Sequence, residues 1–110
     1  LKKKENLVDL VLELNEKLNN TYTMVTLSED GVMVTDHSDF NFIPAHLRNI
    51  SDVSGAGDTV ISVASLCLAC KVEMGIVAEL SNLAGGLVCE ESGVVPINIE
   101  KLKKESSYLI

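Results

Sequence analysis

Residues 52–63 read Asp-Val-Ser-Gly-Ala-Gly-Asp-Thr-Val-Ile-Ser-Val: two glycines around an alanine, an aspartate, then a long uncharged run. A flexible turn that feeds an apolar helix, with a carboxylate at the junction, decides how the rest of the chain is read. Two roles fit Asp58. As a helix N-cap it would satisfy a first-turn amide, which stabilises by about 1 kcal/mol. As a general base it would stand beside an anion held by the turn's free amides and the helix dipole. It would then take the proton of a hydroxyl that attacks phosphorus. A carboxylate repels phosphate, so anion binding alone gives no reason to place one there.

Other phosphate loops do not fit. No Gly-Lys pair occurs in the chain, so the loop of the P-loop NTPases is excluded. Val60 stands where a dinucleotide-binding fingerprint needs its third glycine, and no βαβ unit follows.

Working outward, Ile50–Val53 leads into the turn and a helix runs from about Gly57 to Cys70. It is apolar nearly all round and is expected to be buried. A second helix is expected over Gly75–Cys89, with Ala78, Leu80, Leu83, Ala84, Leu87 and Val88 facing inward. Gly85-Gly86 inside it costs about 1 kcal/mol per residue against alanine, which points to close approach of another backbone or a ligand. Glu90–Pro96 reads as a loop and Asn98–Glu105 as a short polar helix. Upstream, Leu7, Leu10, Leu14 and Leu18 mark an amphipathic helix over roughly residues 5–19. Tyr22–Leu27 and Gly31–Thr35 read as strands joined at Ser28-Glu29-Asp30-Gly31, where Asp-Gly is the hairpin signal. Phe40–Ile43, closed by Pro44, reads as a short edge strand.

The chain has 110 residues, 46% of them hydrophobic, no Trp and a net charge of −7. That suits one domain with a modest aliphatic core. The acidic balance argues against nonspecific nucleic-acid or anionic-membrane binding. It leaves a phosphate-bearing ligand open, because local amides outweigh global charge. The longest uncharged run, Thr59–Cys70, is too short to cross a bilayer. The chain begins Leu-Lys-Lys-Lys, with no signal peptide pattern, and its true start is expected upstream. Cys67 and Cys70 form a Cys-x-x-Cys, but His37 and His46 are not at zinc-ligand spacing. Within an apolar run both cysteines are expected to pack as small hydrophobes. Three unpatterned cysteines fit a reducing, cytoplasmic setting.

The segment Asp52–Thr59 resembles the D-T-x-G-A-G-D signature of the ribokinase-like (PfkB) carbohydrate kinases, with Val53 in place of the usual Thr. Val25–Gly31 resembles that family's strand ending in a nucleotide-contacting turn. Asn82 before Ala84-Gly85-Gly86 resembles its adenine-pocket helix. Glu90–Pro96 resembles its C-terminal loop. Within the family, Thr59-Val60-Ile61 is similar to the members that phosphorylate heptose 7-phosphate at C1 for lipopolysaccharide precursors.

The resemblance implies an α/β, ribokinase-like fold, of which residues 1–110 are the C-terminal, nucleotide-binding part. The sugar-binding N-terminal part is not among them. It implies transfer of the γ-phosphoryl group of MgATP to a sugar hydroxyl. Gly55, Ala56 and Gly57 would form the anion hole and Asp58 would be the base. Thr26, Ser28, Gly31, Asn82 and Gly85 would lie at the nucleotide. Asp52 and Ser54, with Glu90 and Gly93, would border a monovalent cation such as K⁺. Partners would be ATP or ADP, a phosphorylated sugar and further copies in a homo-oligomer, with no nucleic acid and no membrane. Another sugar or nucleoside kinase of the family, or a noncatalytic nucleotide-binding module, remains as an alternative.

Overall fold

The computed structural model describes residues 4–18, 22–26, 31–35, 40–45 and 50–108. Helix α1 (Lys4–Leu18) precedes strands β1 (Thr23–Thr26), β2 (Gly31–Thr35) and β3 (Phe40–Pro44). Helices α2 (Ala56–Ala69), α3 (Met74–Cys89) and α4 (Ile99–Ser106) follow. The strands form an antiparallel sheet in the order β1-β2-β3.

Every residue of the central strand β2 is buried, because helices cover both faces of the sheet. On one face Val32 and Val34 pack with Ala64 of α2 and with Met74, Val77 and Ala78 of α3. Alternation along the strand turns Met33 and Thr35 the other way, towards α1. There Asn15 donates to Thr23 Oγ1 (2.8 Å) and to the Thr35 carbonyl (3.5 Å). These bonds offset the cost of burying an amide.

The sequence marks a hairpin with Gly31–Thr35 as its returning strand, and the pairing bears it out. Thr26 pairs with Val32, and Gly31 belongs to β2 opposite Pro44. The expected turn residues Ser28, Glu29 and Asp30 lie outside the described residues. Gly31 has φ 120, and a Cβ there would fall on the Ile43 carbonyl oxygen, 2.8 Å from the Ala45 nitrogen. Close strand approach makes this position glycine.

Three burial expectations are corrected. In α1 the residues packed on the sheet are Val11 and Asn15, while Leu10, Leu14 and Leu18 are exposed. In α2 only Val60 and Ala64 are buried, with Ile61 63%, Leu66 68% and Leu68 51% exposed. Hydrophobic periodicity states which side chains favour burial, and these two stripes have no covering element among the described residues. The cysteines diverge: Cys89 is buried, Cys67 is half-buried against the core and Cys70 is exposed at the C-cap of α2.

The two glycine-flanked helices meet closely. A Cβ on Gly85 would lie 2.7 Å from Val60 Cγ2 and 3.8 Å from the Ala56 carbonyl oxygen. The missing side chain is what lets the start of α2 rest on α3. Helix α3 is capped by Glu73, which accepts from the Gly75 and Ile76 amides. Helix α4 is capped by Asn98, which accepts from the Glu100 and Lys101 amides.

Candidate functional site: the glycine turn and its cleft

The turn of residues 52–58 is built by its hydrogen bonds. Asp52 Oδ1 accepts from the Ser54 amide at 2.8 Å, and the Ala56 amide donates to the Val53 carbonyl at 3.3 Å. Gly55 then takes a left-handed conformation, φ 78 and ψ −3, as the N-cap of α2. The first helical bond runs from the Thr59 amide to the Gly55 carbonyl. Among the described residues the amides of Gly55, Gly57 and Asp58 therefore carry no hydrogen bond. Free amides at a left-handed turn, at the positive end of a helix, are the kind of group that can take an anion.

Asp58 is not the N-cap. That position belongs to Gly55, and no side chain caps the helix. Asp58 lies in the first turn of α2, exposed, and its carboxylate accepts no hydrogen bond among the described residues. The capping role considered from the sequence is thus not the one this carboxylate plays.

Beside the turn opens a cleft of about 340 Å³, within the usual size range of small-molecule sites. Thr26 and Gly31 at the sheet end, Ala56 and Gly57 of the turn, and Asn82 and Gly85 of α3 all line it. Six residues singled out from the sequence, far apart in the chain, thus share one cavity. Between them the walls are apolar, supplied by Val32, Ile50, Val53 and Val60. Val53, which departs from the family's usual Thr, contributes such a wall. Asn82, largely buried, also donates from Nδ2 to the Pro44 carbonyl at 3.0 Å and so ties α3 to β3. Asp58 does not line the cleft, and Ser28 lies outside the described residues.

A Cβ on Gly57 would meet nothing within 4 Å. No neighbour in the chain requires glycine here, in contrast to Gly31, Gly55 and Gly85.

The four residues expected around a cation are only partly gathered. Asp52 brings three of them together, because its Oδ2 also accepts the Gly93 amide at 3.1 Å, across 41 residues of chain. The loop is drawn further in by Val94, whose Cγ1 would stand 2.9 Å from a Cβ on Gly55. Glu90 sits at the C-cap of α3. The Ser51 and Asp52 amides both donate to the Cys89 carbonyl, at 2.8 and 3.2 Å, and dock the turn on that helix end. The sequence signal for this clip was the Asp-x-Ser spacing of an Asx-turn, but nothing local announced Gly93. Among the described residues no three His, Cys, Asp or Glu gather as a metal cluster.

Hydrogen bonding from the Ser54 side chain, then from the Ser54 and Gly93 amides, holds the Asp52 carboxyl below its ordinary value. A group depressed on folding contributes stability above its unfolded pKa and loses it as pH falls through the folded one. The clip is therefore intact at neutral pH and opens in acid, below the ordinary value of 3.8. Asp52→Asn replaces one acceptor with a donor. Faster hydrogen exchange at the Gly93 amide is expected at pH 7, and unchanged exchange would count against the clip.

The pfkB family carbohydrate kinase profile matches residues 1–101. The bifunctional protein HldE of Campylobacter jejuni is 35% identical over 99 residues, which are 90% of this chain and 21% of that protein. The chain thus spans about a fifth of the length of the curated relatives it matches. The potassium complex of Escherichia coli phosphofructokinase-2 superposes with a TM-score of 0.89 at 17% identity, covering 99% of this chain and 35% of that one. Ribokinase from Cryptococcus neoformans, solved with ADP, superposes with a TM-score of 0.74 at 20% identity, covering 94% and 36%. The fold is ribokinase-like α/β.

Proposed function

Because this chain belongs to the pfkB family of carbohydrate kinases, we propose that it is the nucleotide-binding, C-terminal part of an ATP-dependent sugar kinase. The observation that carries this reading is the set of free amides of Gly55, Gly57 and Asp58 beside the cleft lined by Thr26, Gly31 and Asn82. The apolar walls suit a flat base, and Asn82 offers it a polar edge. The amides suit the phosphate at the reacting end. An ADP complex of a ribokinase with the same fold supports the assignment.

In the proposed reaction the Gly55–Gly57 turn holds the transferring γ-phosphoryl group through the free amides of Gly55, Gly57 and Asp58 and stabilises its charge, while the Ala56 amide, expected to share in this, is taken up by the Val53 carbonyl. Asp58 accepts the proton of the sugar hydroxyl as that oxygen bonds to phosphorus and the bond to ADP breaks. Magnesium carried on the ATP phosphates would supply positive charge to the transferring group. The carbonyls beside Glu90 and Gly93, with Asp52 and Ser54, are the groups that would hold a K⁺-like ion. The potassium complex of phosphofructokinase-2 supports that choice of ion.

The proposed acceptor is heptose 7-phosphate at C1, in a cytoplasmic route to lipopolysaccharide precursors, and the HldE relatives support it. The sugar site would belong to an N-terminal part of the kinase. That part, or a second copy in a homo-oligomer, would cover Ile61, Leu66 and Leu68. The test is ADP release by the whole kinase over a panel of sugars and sugar phosphates. Turnover is expected to be highest with heptose 7-phosphate. A clear preference for another acceptor moves the enzyme elsewhere in the family, and no turnover with any acceptor argues for a noncatalytic nucleotide-binding role.

A further inference from the structure

The Ala56 amide donates to the Val53 carbonyl, which makes residues 53–56 a β-turn. Gly55 is its third residue, with φ 78 and ψ −3, and Ser54 before it has no positive φ. These are the angles of a type II turn, in which the third position favours glycine. A type I turn keeps the same closing bond with its central peptide turned over, and it is the commoner form. Here the central peptide joins Ser54 to Gly55, and its N–H is one of the three free donors at the start of α2.

Both ends of the turn are fixed. The Ser54 amide donates to Asp52 Oδ1 at 2.8 Å, and the Thr59 amide donates to the Gly55 carbonyl at 3.1 Å. Between them, neither the Ser54 carbonyl nor the Gly55 amide makes a hydrogen bond among the described residues. Turning this peptide over would therefore break none of the bonds that build the turn. It would point the Gly55 N–H the other way and put the Ser54 carbonyl in its place. The anion hole would exchange a donor for an acceptor. Glycine, with no Cβ, has the backbone freedom to allow this.

One side chain rests on this glycine. Val94 reaches it from the loop after α3, and its Cγ1, Cγ2 and Cβ stand 2.9, 3.6 and 3.7 Å from the place a Cβ on Gly55 would take. Val94 is 75% exposed, so burial of its own surface does not account for the placement. The loop is held there by Gly93, left-handed at φ 76, whose amide donates to Asp52 Oδ2 at 3.1 Å. One carboxylate thus fixes the Ser54 amide and also the loop that brings Val94 over Gly55.

We propose that Val94 is a positioning residue for phosphoryl transfer: its branched side chain, packed on the Cβ face of Gly55, favours the type II form and keeps the Gly55 amide in the anion hole. This rests on the reading of the turn as the γ-phosphoryl site. Val94 touches neither substrate nor phosphate in this account and acts only through Gly55. The contact is made with the type II form, so losing it shifts the turn towards the flipped form.

The test compares Val94→Ala, which removes both Cγ atoms, with Val94→Ile, which keeps both. In the whole kinase Val94→Ala is expected to lower kcat at least about tenfold, towards the roughly 10²–10³-fold that loss of one oxyanion donor costs. The KM for ATP should stay within about twofold of the parent, and the melting temperature should barely move because the side chain is largely exposed. Val94→Ile should keep the parent's kcat. In the purified chain, nitrogen relaxation dispersion should show exchange at the Gly55 amide in Val94→Ala and none in the parent or in Val94→Ile. Parent-like kcat in Val94→Ala, a Gly55 amide as quiet as the parent's, or equal damage by Val94→Ile overturns the role. No turnover by the parent kinase would instead sink the phosphoryl reading and the catalytic consequence with it, while the relaxation data still decide whether Val94 holds Gly55.

Discussion

Asp58→Asn is expected to lower turnover of the whole kinase by roughly 10²–10⁴-fold while the melting temperature barely moves. Asn matches Asp in size, and Asp58 makes no side-chain hydrogen bond that the change could break among the described residues. Removing a negative charge from an exposed first turn costs about 0.3–1 kcal/mol through the helix dipole. What the amide cannot do is accept the acceptor hydroxyl's proton. The loss should therefore appear in kcat, with the KM for ATP close to that of the parent. Because Gly55 is the N-cap, the outcome no longer hinges on how well Asn caps a helix. Turnover within a few-fold of the parent would remove Asp58 from the chemistry.

Gly31→Ala should have the largest effect on stability. Its Cβ would collide with the Ile43 carbonyl and crowd the Ala45 nitrogen and the Pro44 carbonyl carbon, at 2.8 and 2.9 Å, all of them backbone. Backbone in a paired strand cannot move aside as a side-chain tip can, and φ 120 adds strain for any residue with a Cβ. A loss above about 4 kcal/mol is expected, at the extreme of single substitutions. That would leave the chain unfolded or nearly so, as read by urea denaturation. A change below 1 kcal/mol would mean that β2 and β3 are not paired in this register. Gly31 also lines the cleft, so the glycine that resembles a nucleotide contact is required first by the sheet.

How much could be read beforehand varies with the kind of signal. The glycine turn, the two apolar helices and the edge strand ending at Pro44 were legible, because caps, breakers and periodicity are local. The close approach at Gly85 was legible as a cost that something must repay, though only the fold names Val60 as the neighbour. The exposed stripes of α1 and α2 were misread, because apolarity states a preference for burial without saying what covers it. Gly31 was rightly read as the start of the returning strand, but that only glycine fits there is set by the third strand, which no local signal names. The Asp52–Gly93 clip joins segments 41 residues apart and left only half a trace in the sequence. Asp58 looked like a cap by position, and the left-handed Gly55 three residues earlier is what displaces it.

The measurement that bears most directly on the glycine turn as a phosphoryl site is calorimetric titration of the purified chain and its Gly57→Ala form with a nonhydrolysable ATP analogue, alongside thermal melting. A Cβ at residue 57 meets no neighbour, and alanine favours the helix by up to about 1 kcal/mol over glycine. The variant should melt at the same or a higher temperature. It should nonetheless bind the analogue at least about tenfold more weakly, because a side chain at this turn would crowd the approach of the phosphate. Equal binding by the two forms, or none by the well-folded parent chain, would contradict the turn as the anion hole.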